Sequence, residues 1–228
     1  MTVGDATTAQ PWLVDALERL DLRPHDRVLM IGASTTGQAR AVARAIGDGE
    51  LLILEQDVGR ADALRRDGFE VILYQPQGGE RFGMFDAALA CPFSMGDWTA
   101  NSLAEIGSSN LRLGGRLVLN LPAEHFCEEL SSAFQSLGGD PEQLQGWIGP
   151  SRSDAEESLQ KAGLRNIGTA TTAHITPFES AEHAARVLCS ACEREELRED
   201  LALVLAQRWK TTGKSEVVIH RLLVWSQR

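Results

Sequence analysis

No apolar run in this 228-residue chain approaches the roughly 18 residues of a membrane span. The opening stretch, Met1 to Ala6, lacks the basic and apolar regions of a secretory signal, so a cytoplasmic location and no membrane partner are expected. Positive charge is scarce: 22 Lys and Arg stand against 32 Asp and Glu, a net charge of −10. That balance argues against a general binder of phosphate backbones, and nucleic acid is not an expected partner. Four cysteines, unevenly spaced, suggest reduced thiols rather than a disulfide framework. Two of them form a C-x-x-C, Cys189-Ser-Ala-Cys192, within a helical stretch and with no second pair. They read as small buried residues on one helix face, and no metal site is expected. There is no internal repeat and no low-complexity tract. What remains, 43% apolar and 24% charged, is the composition of an ordinary globular chain of one α/β domain spanning 1–228.

The chain is organised around residues 27–55. Val28 to Ile31 is a short uncharged run bounded by a glycine, the pattern of a buried parallel strand. Gly32 to Gly37 is a turn of small residues, Gln38 to Ile46 an Ala-rich helix, and Leu51 to Leu54 a second buried strand ending on Glu55. In open α/β sheets ligands bind at the carboxyl edge, where this loop and this acid both fall. Small loop residues admit a ligand to the backbone, the helix start favours an anionic group, and Glu55 can accept two hydrogen bonds from a ribose diol. Gly32, Ser34 and Gly37 also fit the dinucleotide pattern G-x-G-x-x-G with serine in the middle place, which keeps an NAD(P)-dependent oxidoreductase open.

Elsewhere the chain alternates. Helices are expected over 11–22, 57–66, within 98–113, over 124–137 and from the capping-box pattern Ser153-Asp-Ala-Glu156 to about 163. Strands are expected over 69–74, 85–90, 116–121, 165–176 and 216–225, with Gly114-Gly115 turning the chain and 140–150 a loop. Residues 177–209 break the alternation and read as mostly helical, with Leu197, Leu201, Val204, Leu205 and Arg208 on one face. Strands alternating with helices imply a three-layer α/β sheet. Phe93, Met95, Trp98 and Trp147 are candidates for an apolar wall or for core filling under loops.

Four stretches carry a family resemblance by their order and spacing: Leu22-Arg-Pro-His-Asp-Arg-Val-Leu-Met-Ile-Gly32, Phe85-Asp-Ala-Ala-Leu89, Leu111-Arg-Leu-Gly-Gly-Arg-Leu-Val-Leu119 and Leu159-Gln-Lys-Ala-Gly-Leu-Arg165. Over roughly residues 10–225 the chain resembles the class I S-adenosylmethionine-dependent methyltransferases, especially the small-molecule type related to quinone-biosynthesis enzymes. The resemblance implies a Rossmann-like sheet of seven strands, mostly parallel with an antiparallel last strand. It implies that the helices of 177–209 form part of a substrate lid. It places the methionine part of S-adenosylmethionine over Gly32, Ala33, Ser34 and Gly37, and the ribose hydroxyls on Glu55. Gln56 would lie beside the adenine, Gln75 or Gln77 near its amino group, and Ala90 and Cys91 below the methyl group. The chain departs from the family at Met30, where an acid is usual, at Ser34 and Thr36 in the glycine loop, and after the third strand, where glutamine replaces an acid.

Methyl transfer needs a base only if the acceptor must lose a proton. His125 is the first candidate, because it follows Pro122 at the end of the fifth strand; His174 and His183 flank the start of the lid. Asp86 starts the fourth strand, away from the ligand edge, and reads as structural. Cys91 has no neighbouring base in sequence and reads as a packing or cofactor-lining thiol. A small-molecule acceptor is the partner of the enzyme reading. A degenerate methyltransferase fold serving as a binding scaffold for a protein partner is the alternative.

Overall fold

The computed structural model describes residues 11–33, 35–75, 80–92, 95, 98–124, 127, 132, 135–137, 149–191 and 195–228. Its sheet is built from β1 (Arg27–Ile31), β2 (Glu50–Glu55), β3 (Glu70–Leu73), β4 (Phe85–Ala90), β5 (Leu111–Pro122), β6 (Arg165–Pro177) and β7 (Glu216–Gln227). The spatial order is β3-β2-β1-β4-β5-β7-β6. Strands β1 to β5 pair in parallel, and β7 runs antiparallel to both β5 and β6. The helices are α1 (Pro11–Leu20), α2 (Thr36–Ile46), α3 (Val58–Arg66), α4 (Ala100–Asn110), α5 (Arg152–Lys161), α6 (Ala181–Ala191) and α7 (Arg198–Thr212).

Side-chain alternation along the strands divides the core into two layers. Leu29 and Ile31 of β1 face Leu103 and Ala104 of α4 and Leu159 of α5. Val28 and Met30 face Leu13 and Ala16 of α1 and Ala39 and Val42 of α2. Helices on both faces leave the parallel strands no wet side, which is why β1, β2 and β4 read as unbroken apolar runs. A third cluster joins α6 and α7 to Val217 and Ile219 of β7 through Ala184, Cys189, Leu201, Leu205 and Trp209. Each such leucine contributes roughly 1.5–3 kcal/mol on burial. The β6–β7 ladder runs on to Pro177 and Glu216, whereas β5 leaves β7 at Pro122 and Arg221. Residues 216–220 and their β6 partners therefore form an overhanging arm, and α6 and α7 pack on it.

Several expectations need correction. Leu111 already belongs to β5, so Gly114-Gly115 lies inside the strand and not between elements. Gly114 (φ 78°) sits where the β4–β5 register slips between Phe85 and Ala87, and that irregularity absorbs the extra residues. The start of α5 is capped by Ser151, not Ser153: its hydroxyl accepts from the Asp154 N–H. The buried face of α7 ends on Trp209, leaving Arg208 exposed. The expected helix over 124–137 and loop over 140–150 fall largely outside the described residues.

Candidate active site

The strand order reverses between β1 and β4, and a crevice opens beyond the carboxyl ends of strands at such a switch point. Gly32 leaves β1 there and Cys91 leaves β4. The Gly32 N–H donates to Leu54 O at 2.8 Å, and the Cys91 N–H to Ile31 O at 2.9 Å. Gly32 has φ 70°, a conformation that costs L-residues, and a Cβ on it would lie 3.3 Å from Pro92 Cβ. Ala33 is buried beside it. Thr35 then caps α2, its hydroxyl accepting from the Gln38 N–H at 3.3 Å. Gly37 is exposed in the first turn of α2, and Ser34 falls outside the described residues.

Glu55 ends β2 with 1% of its surface exposed. Its Oε1 accepts from the Gln56 N–H at 2.9 Å, from the Asp57 N–H at 3.0 Å and from Arg60 Nε at 3.3 Å, with Arg60 Nη2 at 3.2 Å. All of these bonds fall on Oε1. The local chain explains them: Asp57 is the N-cap of α3, so the backbone turns sharply after Glu55 and points two N–H groups back at its carboxylate. Arg60 was not foreseen as a site residue. It stands in the first turn of a helix that begins just past Glu55, and that spacing is the only sign of it in the sequence.

Gln56 is half-buried, and its Nε2 is buried without a hydrogen-bond partner among the described residues. Tyr74, after β3, donates its N–H to Glu55 O at 2.9 Å. Its ring stacks on Trp98 with centroids 6.0 Å apart and meets Phe82 edge-on. Gln75 follows and is exposed; Gln77 lies outside the described residues. Gly32, Ala33, Glu55, Gln56 and Cys91 therefore share one edge with Tyr74. Ala90, the last residue of β4, is fully buried in the layer of Leu29 and Ile31.

Cys91 is fully buried, and burial pushes its thiol up to about 12, against the Arg221 charge and an Asn120 hydrogen bond. It stays protonated at neutral pH. Asp86 is structural: it accepts the Arg27 N–H at 2.8 Å and pairs with Arg112 at 2.6 Å. Cys189 is buried in α6, and Cys192 lies outside the described residues, as do Phe93 and Trp147. Met95 and Trp98 are buried in the α4 layer.

His125 falls outside the described residues. His183 sits on α6 against the Phe178 ring. His174, on β6, places Nε2 2.9 Å from Thr172 Oγ1 and 3.4 Å from Asp15 Oδ2. Burial holds its pKa below the ordinary 6.5; Asp15 opposes this and Arg221 reinforces it. The folded chain thus binds this proton less readily than the unfolded one, so stability falls as pH drops below about 6.5. Thermal melting between pH 7.5 and 5 is expected to show a shallower acid loss in His174→Gln than in the parent; parallel profiles would assign the loss elsewhere.

This order of strands, with helices on both faces and β7 alone reversed, is the Rossmann-like methyltransferase fold. Solved structures share it. A cyclopropane synthase of Mycobacterium tuberculosis superposes with a TM-score of 0.58 at 17% identity, over 94% of this chain and 82% of that one. A Bacillus subtilis protein named YcgJ gives 0.60 at 12% identity, over 95% and 97%. Coclaurine N-methyltransferase, bound to N-methylheliamine and S-adenosylhomocysteine, gives 0.55 at 16% identity, over 98% and 75%. No protein-family model and no curated protein matches the sequence. No described helix is long and apolar enough to cross a membrane.

Proposed function

We propose that the chain is an S-adenosylmethionine-dependent methyltransferase acting on a small-molecule acceptor. The observation that carries this reading is Glu55: a buried carboxylate at the switch-point edge, tied down through one oxygen so that the other is left to a diol. Gln56, whose buried Nε2 lacks a partner among the described residues, is suited to donate to a ring nitrogen of the adenine. Gly32, at φ 70° and packed against Pro92, turns the chain out of β1 at the edge where the methionine portion is proposed to lie. The solved relatives in fold support the cofactor and the acceptor class, coclaurine N-methyltransferase by the ligands it holds.

When bound, the cofactor supplies a methyl group already activated on a sulfonium. The chain's own residues need only align the acceptor and keep water out. Cys91, as a neutral buried thiol, lines the floor without competing for the methyl group. His125 is the proposed base where the acceptor must lose a proton, from its place just past β5. The helices over 177–209, carried on the β6–β7 arm, are the proposed lid within a single domain.

Isothermal titration with S-adenosylmethionine and S-adenosylhomocysteine tests the reading. Micromolar binding, about −8 kcal/mol, is expected. No heat and no thermal stabilisation at millimolar ligand would end the enzyme reading and leave a fold that serves as a binding partner.

A further inference from the structure

The largest fully buried side chain among the described residues is a charged one, Arg221 of β7, 1% exposed. Its Nη2 donates to Pro92 O at 2.8 Å and also to Asn120 O, and its Nε donates to Asn120 Oδ1 at 2.9 Å. Asn120 in turn donates Nδ2 to Trp12 O at 2.9 Å. The guanidinium carbon lies 5.0 Å from the centroid of the Trp12 ring. Burial lowers its pKa to about 10, so it remains charged at neutral pH. A planar fork with five donors reaches several acceptors in fixed directions, which a lysine ammonium cannot do in the same geometry.

The acceptors are informative. Pro92 is the residue whose Cβ would lie 3.3 Å from a Cβ on Gly32, so the carbonyl that Arg221 holds belongs to the wall facing Gly32. Cys91 stands between that carbonyl and β4. In the other direction, β7 leads from Arg221 into residues 216–220, the arm that carries α6 and α7. One cation thus ties the turn after β4, the end of β5 and the start of α1 to the root of the arm.

We propose that Arg221 is a positioning residue: it pins the Cys91-Pro92 turn and so sets the width of the crevice above Gly32, making the shape of the site depend on β7. The pin is a matter of geometry; only its effect on ligand rests on the cofactor reading above. Because the held atom is a backbone carbonyl, no side-chain change in the turn itself would show the dependence. It has to be tested from β7.

The experiment compares the parent protein with Arg221→Lys, Asn120→Ser and a control, Leu205→Ala, which loosens the α6–α7 cluster and leaves the acceptors of the guanidinium in place. Each is exposed to iodoacetamide at neutral pH, and alkylation is read cysteine by cysteine by peptide mass spectrometry. Cys91 is expected to react at least tenfold faster in Arg221→Lys with Cys189 unchanged; the control speeds Cys189 and spares Cys91. S-Adenosylhomocysteine affinity, titrated below the melting range of every variant, is expected to fall at least tenfold in Arg221→Lys. Cys91 rates equal to the parent, or rising in step with Cys189, overturn the proposal, as does unchanged affinity in Arg221→Lys. If the parent binds no S-adenosylhomocysteine, the cofactor reading fails, and the alkylation pattern still decides the pin. Should Arg221→Lys not fold, Asn120→Ser removes the acceptor of Nε with the charge retained, and the same two outcomes apply to it.

Discussion

Glu55→Ala is expected to weaken S-adenosylhomocysteine binding by at least about a hundredfold, and Glu55→Gln by about tenfold. A hydrogen bond to a charged group contributes roughly 1.5–3 kcal/mol, and a diol would lose two of them. A hundredfold loss corresponds to about 2.8 kcal/mol, which that sum exceeds. Alanine also strips the Gln56 and Asp57 N–H groups and Arg60 of their shared acceptor, Oε1. The free protein should therefore melt earlier by an amount that reflects a penalty of about 1–3 kcal/mol. Glutamine keeps a carbonyl oxygen for those donors and loses mainly the charge toward the ligand. Titration calorimetry gives the affinities and thermal unfolding the stability of the same samples. An unchanged dissociation constant in Glu55→Ala would place the ribose elsewhere on the sheet edge.

Gly49→Ala is expected to destabilise the fold by about 3 kcal/mol, the upper end of the usual cost of overpacking. A Cβ at this position would lie 2.2 Å from the Asp26 carbonyl oxygen and 3.0 Å from Ile46 Cβ. The oxygen cannot simply withdraw. It accepts the Glu50 N–H that ties the entrance of β2 to β1. The Asp26 carboxylate is itself held by the Arg23 N–H at 2.9 Å and by Arg116 at 2.5 Å. In a chain of this size the melting temperature should fall by roughly 6–12 °C. Glu55 stands at the far end of β2, which Gly49 precedes, so ligand affinity below the melting range should change little. A fall of under about 2 °C would show that the Asp26 backbone yields.

The parts of this molecule that were legible are those in which one local pattern has one structural meaning. Val28 to Ile31 and Leu51 to Leu54 are uncharged because both faces of their strands are covered, and the acid after the second run marks the strand's end. The overhanging arm, Arg60 and Arg221 were not legible in the same way. Arg60 sits in a helix whose charges look solvated; only the tight turn from β2 into α3 brings its guanidinium back to Glu55. Arg221 interrupts an apolar strand, Val-Val-Ile-His-Arg-Leu-Leu-Val-Trp, and a charge there reads as surface. Its phase was the missed signal: it alternates in step with Val217, Ile219 and Leu223, which are all buried. Gly114-Gly115 misled for the opposite reason. A glycine pair has two meanings, a turn between elements or slack inside a strand, and only the pairing partner chooses between them.

The chain contains a single tyrosine, and that residue is Tyr74. Its ring lies 6.0 Å from Trp98 with the planes 23° apart, at the strand end that bonds back to Glu55. At that separation an excited phenol passes its energy to the indole before it can emit. The folded protein therefore has almost no tyrosine emission of its own, and recovery of the phenol band requires this pair to separate. The protein carries an intrinsic optical reporter at the edge of its proposed cofactor site.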